Sequence, residues 1–180
     1  MQTKQLLDEL TTLTLQHLEA VKEFQQQSDE TLNQKTNLQS WNAVECIEHL
    51  NRYGKFYLPE INERIKASKT PPSPEFKTGW LGNYFAKSML PKEKLNKMKT
   101  FAPMNPITSE VKRNVLDVFE QQLKTMLTLL QDAEKVNLTK VKTSISISPF
   151  VKLRLGDTFR VVIYHNERHI QQAKRAMAGQ

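Results

Sequence analysis

The chain of 180 residues is poor in residues that several classes of function require. A single cysteine, Cys46, excludes an internal disulfide, and a reducing cytoplasm is the expected compartment. The Asn137-Leu138-Thr139 sequon is accordingly read as a chance match. Five glycines occur, none in a G-x-G-x-x-G or G-K-S/T context, so a phosphate-cradling loop is not expected. No apolar run approaches the ~20 residues that cross a bilayer, and the opening MQTKQLLDELTTLTLQ lacks a signal peptide's unbroken apolar stretch. Repeats and low-complexity tracts are absent. Acidic residues are scarce in one place: between 64 and 100, Glu75 and Glu93 alone face Arg64, Lys66, Lys69, Lys77, Lys87, Lys92, Lys94, Lys97 and Lys99. That segment carries the whole net charge of +7, so a local basic patch is expected on an otherwise neutral protein.

What is present suits one domain over residues 1–180, because 38% apolar residues can core one domain of this length but not two. Leu6, Leu10, Leu13, His17, Val21 and Phe24 recur at steps of three and four, predicting an amphipathic helix over about 3–26. Residues 28–40 read as a loop. Asn42 and Glu45 form a capping-box pattern for a second helix, with Trp41 and Cys46 at the hydrophobic-staple positions. That helix runs to Pro59, where it stops or kinks before resuming through Ile61 and Ile65.

Residues 70–108 form a basic, proline-rich insertion with one short helix around Trp80, Leu81, Tyr84, Phe85, Met89 and Leu90. A third long helix is expected from about Ser109 to Lys135, and a last one from Asp157, its candidate cap, to Ala178. Between them, Val141 to Ile147 alternate at period two without a clear partner strand. The fold class is therefore all-α, a four-helix bundle with a long crossover between its second and third helices.

His165 and His169 stand four apart in this last helix, an advance of ~6 Å and ~400°, so both rings leave one face and can reach one ion. His49, near the inner side of the second helix, is a candidate third ligand, since bundles build metal sites from facing helices.

At these residues the chain resembles the DinB-like superfamily, also called DinB/YfiT-like metalloenzymes. The likeness lies in Trp41-Asn42-Ala43-Val44-Glu45-Cys46-Ile47-Glu48-His49-Leu50 and in His165-Asn166-Glu167-Arg168-His169-Ile170-Gln171. The resemblance implies a four-helix bundle holding a divalent metal through His49, His165 and His169. Three neutral imidazoles suit Zn²⁺ or Ni²⁺ and leave a coordination position open, as catalytic sites do. A water or a low-molecular-weight thiol bound there would be activated as a nucleophile. The expected activity is that of a metal-dependent hydrolase or small-thiol S-transferase acting on a small molecule. The alternative is a non-catalytic metal-binding or stress-response module whose basic patch meets an acidic partner.

Other residues carry more than one reading. His17 fits a fourth ligand, an outer hydrogen-bonding group or a core histidine. Tyr53 and Arg168 fit substrate contacts as well as packing or a solvated face. Asn166 and Gln172 fit donors to the ligands, and Cys46 a buried hydrophobe more than a thiolate. The basic segment reads as a passive insertion in which Trp80, Tyr84 and Phe85 pack on the bundle, as a lid, or as a partner patch. Nothing matches a nucleic-acid-binding motif, so specific nucleic-acid binding is not expected, while a homodimer stays open.

Overall fold

In the computed structural model, residues 1–90, 100–107 and 109–179 are described, Pro149 by its backbone alone. Six α-helices carry most of these residues: α1 (Thr3–Gln25), α2 (Asp29–Asn33), α3 (Ala43–Ala67), α4 (Trp80–Met89), α5 (Val115–Ala133) and α6 (Leu155–Met177). Two short strands, β1 (Lys142–Ile145) and β2 (Ser148–Arg154), pair antiparallel, and a 3₁₀ turn covers Ala102–Met104. The helical periods predict the four long helices well, because each buries one apolar stripe against two others. Helix α1 packs on α5 and α6, and α3 packs on the same two.

The capping box forms as its pattern predicts. Asn42 Oδ1 accepts the Glu45 amide at 2.8 Å, and the Glu45 carboxylate accepts the Asn42 amide at 2.9 Å. Helix α3 then continues without a break through Pro59 to Ala67 instead of ending there. Proline removes one backbone donor, and the burial of Tyr57, Ile61 and Ile65 on either side of it outweighs that loss.

Five further expectations are corrected. The stretch read as a loop, 28–40, contains α2, whose Ser28 cap accepts the Thr31 amide at 3.1 Å. The chain is mostly helical, as an all-α class requires, but the alternating stretch read without a partner strand has one: Lys142 to Ile145 pair with β2, with a register shift between Ser144 and Ile145. The hairpin is held by tertiary bonds, since Glu60 accepts the Ser144 amide at 2.7 Å and Thr143 and Thr158 hydroxyls meet at 2.6 Å. Helix α5 starts at Val115 and not near Ser109, whose hydroxyl instead accepts from Arg52 Nη2 at 2.8 Å. Asp157 does not cap α6, which begins at Leu155; its buried carboxylate accepts from Thr78 Oγ1 and the Gly79 amide, pinning the start of α4. Finally, Trp80 and Tyr84 are exposed and do not pack inward. The buried face of α4 is Gly82 and Ala86, two small residues one turn apart that let α4 lie close on α6. Lys92, Lys94, Lys97 and Lys99, four of the nine cations of the expected basic patch, lie outside the described residues.

A methyl group at Gly82 would stand 2.5 Å from the Asp157 side chain, which its own bonds hold in place. Gly82→Ala is therefore expected to destabilise the fold by about 1–3 kcal/mol, read as a lower urea midpoint. An unchanged midpoint would mean that α4 docks more loosely than this packing requires.

The core falls into two bodies, and the gap between them positions the site. One body holds Leu6 and Leu10 of α1, Tyr57 and Ile61 of α3, Met126 of α5 and Ile163 of α6. The other holds Leu18 and Val21, Ile47 and Leu50, Phe119 and Leu123, and Ile170 and Ala173 of the same four helices. Three of these four helices carry buried polar residues between the two sets: Thr14 and His17 on α1, Asn51 on α3, and Asn166, Arg168 and His169 on α6. Burying so many polar groups is costly unless they are bonded or serve a site.

Candidate metal centre

Helix α6 presents His165 and His169 one turn apart on its inner face, and α3 brings His49 opposite them. The ring centroids lie 5.0 Å apart for His49–His165, 4.5 Å for His49–His169 and 4.6 Å for His165–His169. One nitrogen from each ring falls within 4.8 Å of the other two, and His49 Nε2 is 3.2 Å from His165 Nε2. Tetrahedral zinc with Zn–N bonds near 2.05 Å requires ligand nitrogens about 3.3 Å apart, which the His49–His165 spacing matches. Among the described residues these three are the group of histidine, cysteine and carboxylate side chains able to share an ion, and no fourth such ligand joins them.

The hydrogen bonds behind the rings set which nitrogen faces inward. His49 Nδ1–H donates to the Met104 carbonyl at 2.7 Å, and His169 Nδ1–H donates to Gln172 Oε1 at 2.9 Å. Both Nε2 lone pairs are thereby turned toward the cluster, the arrangement in which outer partners orient metal-ligating histidines. Burial also holds the rings neutral. It lowers His49 from its ordinary 6.5 to about 4, against the opposing Met104 bond and with help from the Arg52 charge. His165 and His169 lie well below 6.5, first through burial and then through their neighbouring rings. Three neutral imidazoles with converging lone pairs form a donor set fitted to a divalent cation of borderline softness.

Aromatic walls flank the rings. Trp41 stands 4.7 Å from His49 and 5.7 Å from His169, and its indole donates to Asn105 Oδ1 at 3.2 Å. Tyr53 meets His165 edge-on at 4.7 Å and His49 at 5.0 Å. Burial raises the Tyr53 phenol, so it stays a donor at neutral pH. The cluster lies on the wall of an open cavity of about 1040 Å³, to which Phe85 and Met89 of α4 and Phe101 also contribute. Arg168 and Gln172 line this cavity as well.

The remaining sequence candidates fall elsewhere. His17 is buried and its Nε2 donates to Glu167 Oε2 at 3.0 Å, on the α1 side of α6 and apart from the three-ring group. That bond, first among its causes, holds Glu167 below the usual carboxylate range. Cys46 is fully buried, and burial pushes its thiol far up, so it acts as a small hydrophobe. Sequence reasoning missed the Met104 carbonyl, because any residue supplies one. It also gave Trp41 to a helix staple without its place beside the rings, and it did not count Arg175, which lines the cavity two turns beyond Arg168, among the site residues.

The fold and site define a mostly helical protein with a buried three-histidine cluster that can bind a metal ion. The sequence profile of the DinB superfamily matches residues 6–173, and the chain belongs to that superfamily. No curated protein and no solved structure matches it significantly.

Proposed function

We propose that this protein is a divalent-metal-dependent enzyme, a hydrolase or small-thiol S-transferase acting on a small molecule, with His49, His165 and His169 as the metal ligands. Its frame is read as a four-helix bundle of α1, α3, α5 and α6 with a crossover from α3 to α5, and its place as the cytoplasm. Carrying the proposal is one observation: three inward-facing imidazoles lie on the wall of a large open cavity with no fourth protein ligand among the described residues. Catalytic zinc sites have this form, whereas structural ones are closed by a fourth ligand. Zinc or nickel, when bound, would act as a Lewis acid that makes water or a thiol nucleophilic near neutral pH. The chain's own residues do the rest. Met104 and Gln172 hold the ligand tautomers, Trp41 and Phe101 wall the substrate space, and the Tyr53 hydroxyl is placed to donate to a substrate or leaving group.

Metal analysis of protein purified without chelator or nickel resin tests the site. Turnover of activated esters, and of a low-molecular-weight thiol with an electrophile, then tests the chemistry. About one divalent ion per chain with turnover abolished by Tyr53→Phe and His165→Ala supports the enzyme. Bound metal with no turnover of either substrate class supports instead the non-catalytic metal-binding module.

A further inference from the structure

The cavity that holds the histidines is lined by no aspartate or glutamate among the described residues. It is lined by two arginines, Arg168 and Arg175. With His165, His169 and Gln172 they form a continuous stripe along α6 at helical spacing, all facing the same space. Arg175 makes no ion pair and no side-chain hydrogen bond among the described residues, and its Nη2 is buried with no partner at all. Arg168 is 94% buried, and its guanidinium feels both that burial and the like charge of Arg175. The two carboxylates of α3 closest in sequence to His49 are already occupied, Glu45 by Lys35 at 2.8 Å and by the cap of its own helix, and Glu48 by Arg52 at 2.9 Å.

A buried guanidinium nitrogen without an acceptor, such as Arg175 Nη2, is costly. The arrangement becomes favourable when a ligand brings the missing anion, because guanidinium forks pair with carboxylate or phosphate through charge-assisted bonds. We infer that this cavity takes a small molecule bearing an anionic group, a carboxylate or phosphate, which Arg175 receives with Arg168 beside it. Six residues of helix separate Arg175 from His169, a rise of ~9 Å, and helical side chains lean back toward the N-terminus. The reactive end of the same ligand therefore reaches the histidines while its anionic end stays on the arginines. Trp41, Phe85 and Phe101 line the same cavity and suit an apolar or aromatic body. Taking this cavity as the substrate site rests on the proposed function, whose substrate class it narrows.

The test titrates 4-phenylbutyrate and its neutral amide, 4-phenylbutanamide, into the full chain by calorimetry, with and without Zn²⁺. The wild type is expected to prefer the carboxylate by about tenfold or more, the scale of one charge-assisted pair. Arg175→Gln should bring that preference below about twofold while leaving the amide's affinity unchanged, which shows the cavity intact. Arg175→Lys, which keeps the charge but not the fork, should retain part of the preference. Equal binding of the two probes by the wild type, no binding of the carboxylate, or a full preference surviving in Arg175→Gln would overturn the inference. Zinc uptake separates the two proposals. Carboxylate preference without zinc uptake overturns the metal site alone, and zinc uptake without preference overturns the anion site alone.

Discussion

Replacing His165 by alanine is expected to weaken zinc binding by more than about a hundredfold, because even outer partners of a ligand are worth 10–100-fold. Alanine at His49 or His169 should do the same, since the three nitrogens form one group and no other side chain among the described residues stands ready to substitute. Gln172→Leu, which leaves His169 in place but removes its Nδ1 acceptor, should cost about 10–100-fold. Competition with a chromophoric zinc chelator measures all four variants. Circular dichroism should remain helical, because each substitution replaces a polar residue that belongs to neither body of the core. Wild-type zinc affinity in His165→Ala would remove the centre.

Acidification should destabilise the chelator-treated protein steeply between pH 6.5 and about 4. In the unfolded chain a histidine takes its proton near 6.5, whereas buried His49 resists until about 4. Between those values the unfolded state binds more protons, so folding stability is full above 6.5 and lost as pH falls through the folded value. His49 alone accounts for about 3 kcal/mol across this window, at 1.36 kcal/mol per pH unit. His165 and His169, displaced in the same direction, deepen the loss. Urea midpoints at about pH 7.5 and about pH 4.5 measure it. His49→Asn retains a donor for the Met104 carbonyl and should remove the share that His49 contributes. Identical midpoints at the two pH values would mean that the rings titrate as they do in water.

Much of the scaffold was legible because its signals are local. The Leu6–Leu10–Val21–Phe24 spacing and the Asn42–Glu45 box each act within a few turns of one helix, and the structure places α1 and the start of α3 where they predict. The failures are of the opposite kind. Pro59 carries a local stop signal, yet contacts with distant helices keep α3 whole. Ser144 and Thr143 join a strand because Glu60 and Thr158 receive them, residues far away in sequence. Trp80 and Tyr84 have the hydrophobicity of buried residues, but the close contact of α4 with α6 is reserved for Gly82 and Ala86.

By itself the sequence determined that His165 and His169 share a face, because 3.6 residues per turn leave four-apart side chains no other choice. It also determined the helical stripes, the capped start of α3 and the concentration of positive charge between 64 and 100. Only the tertiary structure decided that His49 meets that pair, that the Met104 carbonyl sets its tautomer, and that Arg175 lines the same cavity with its Nη2 unpartnered among the described residues. Those relations depend on how far each helix is shifted and rotated against its neighbours. Such shifts are set by side-chain volumes summed across the whole core, and no short stretch of chain contains that sum.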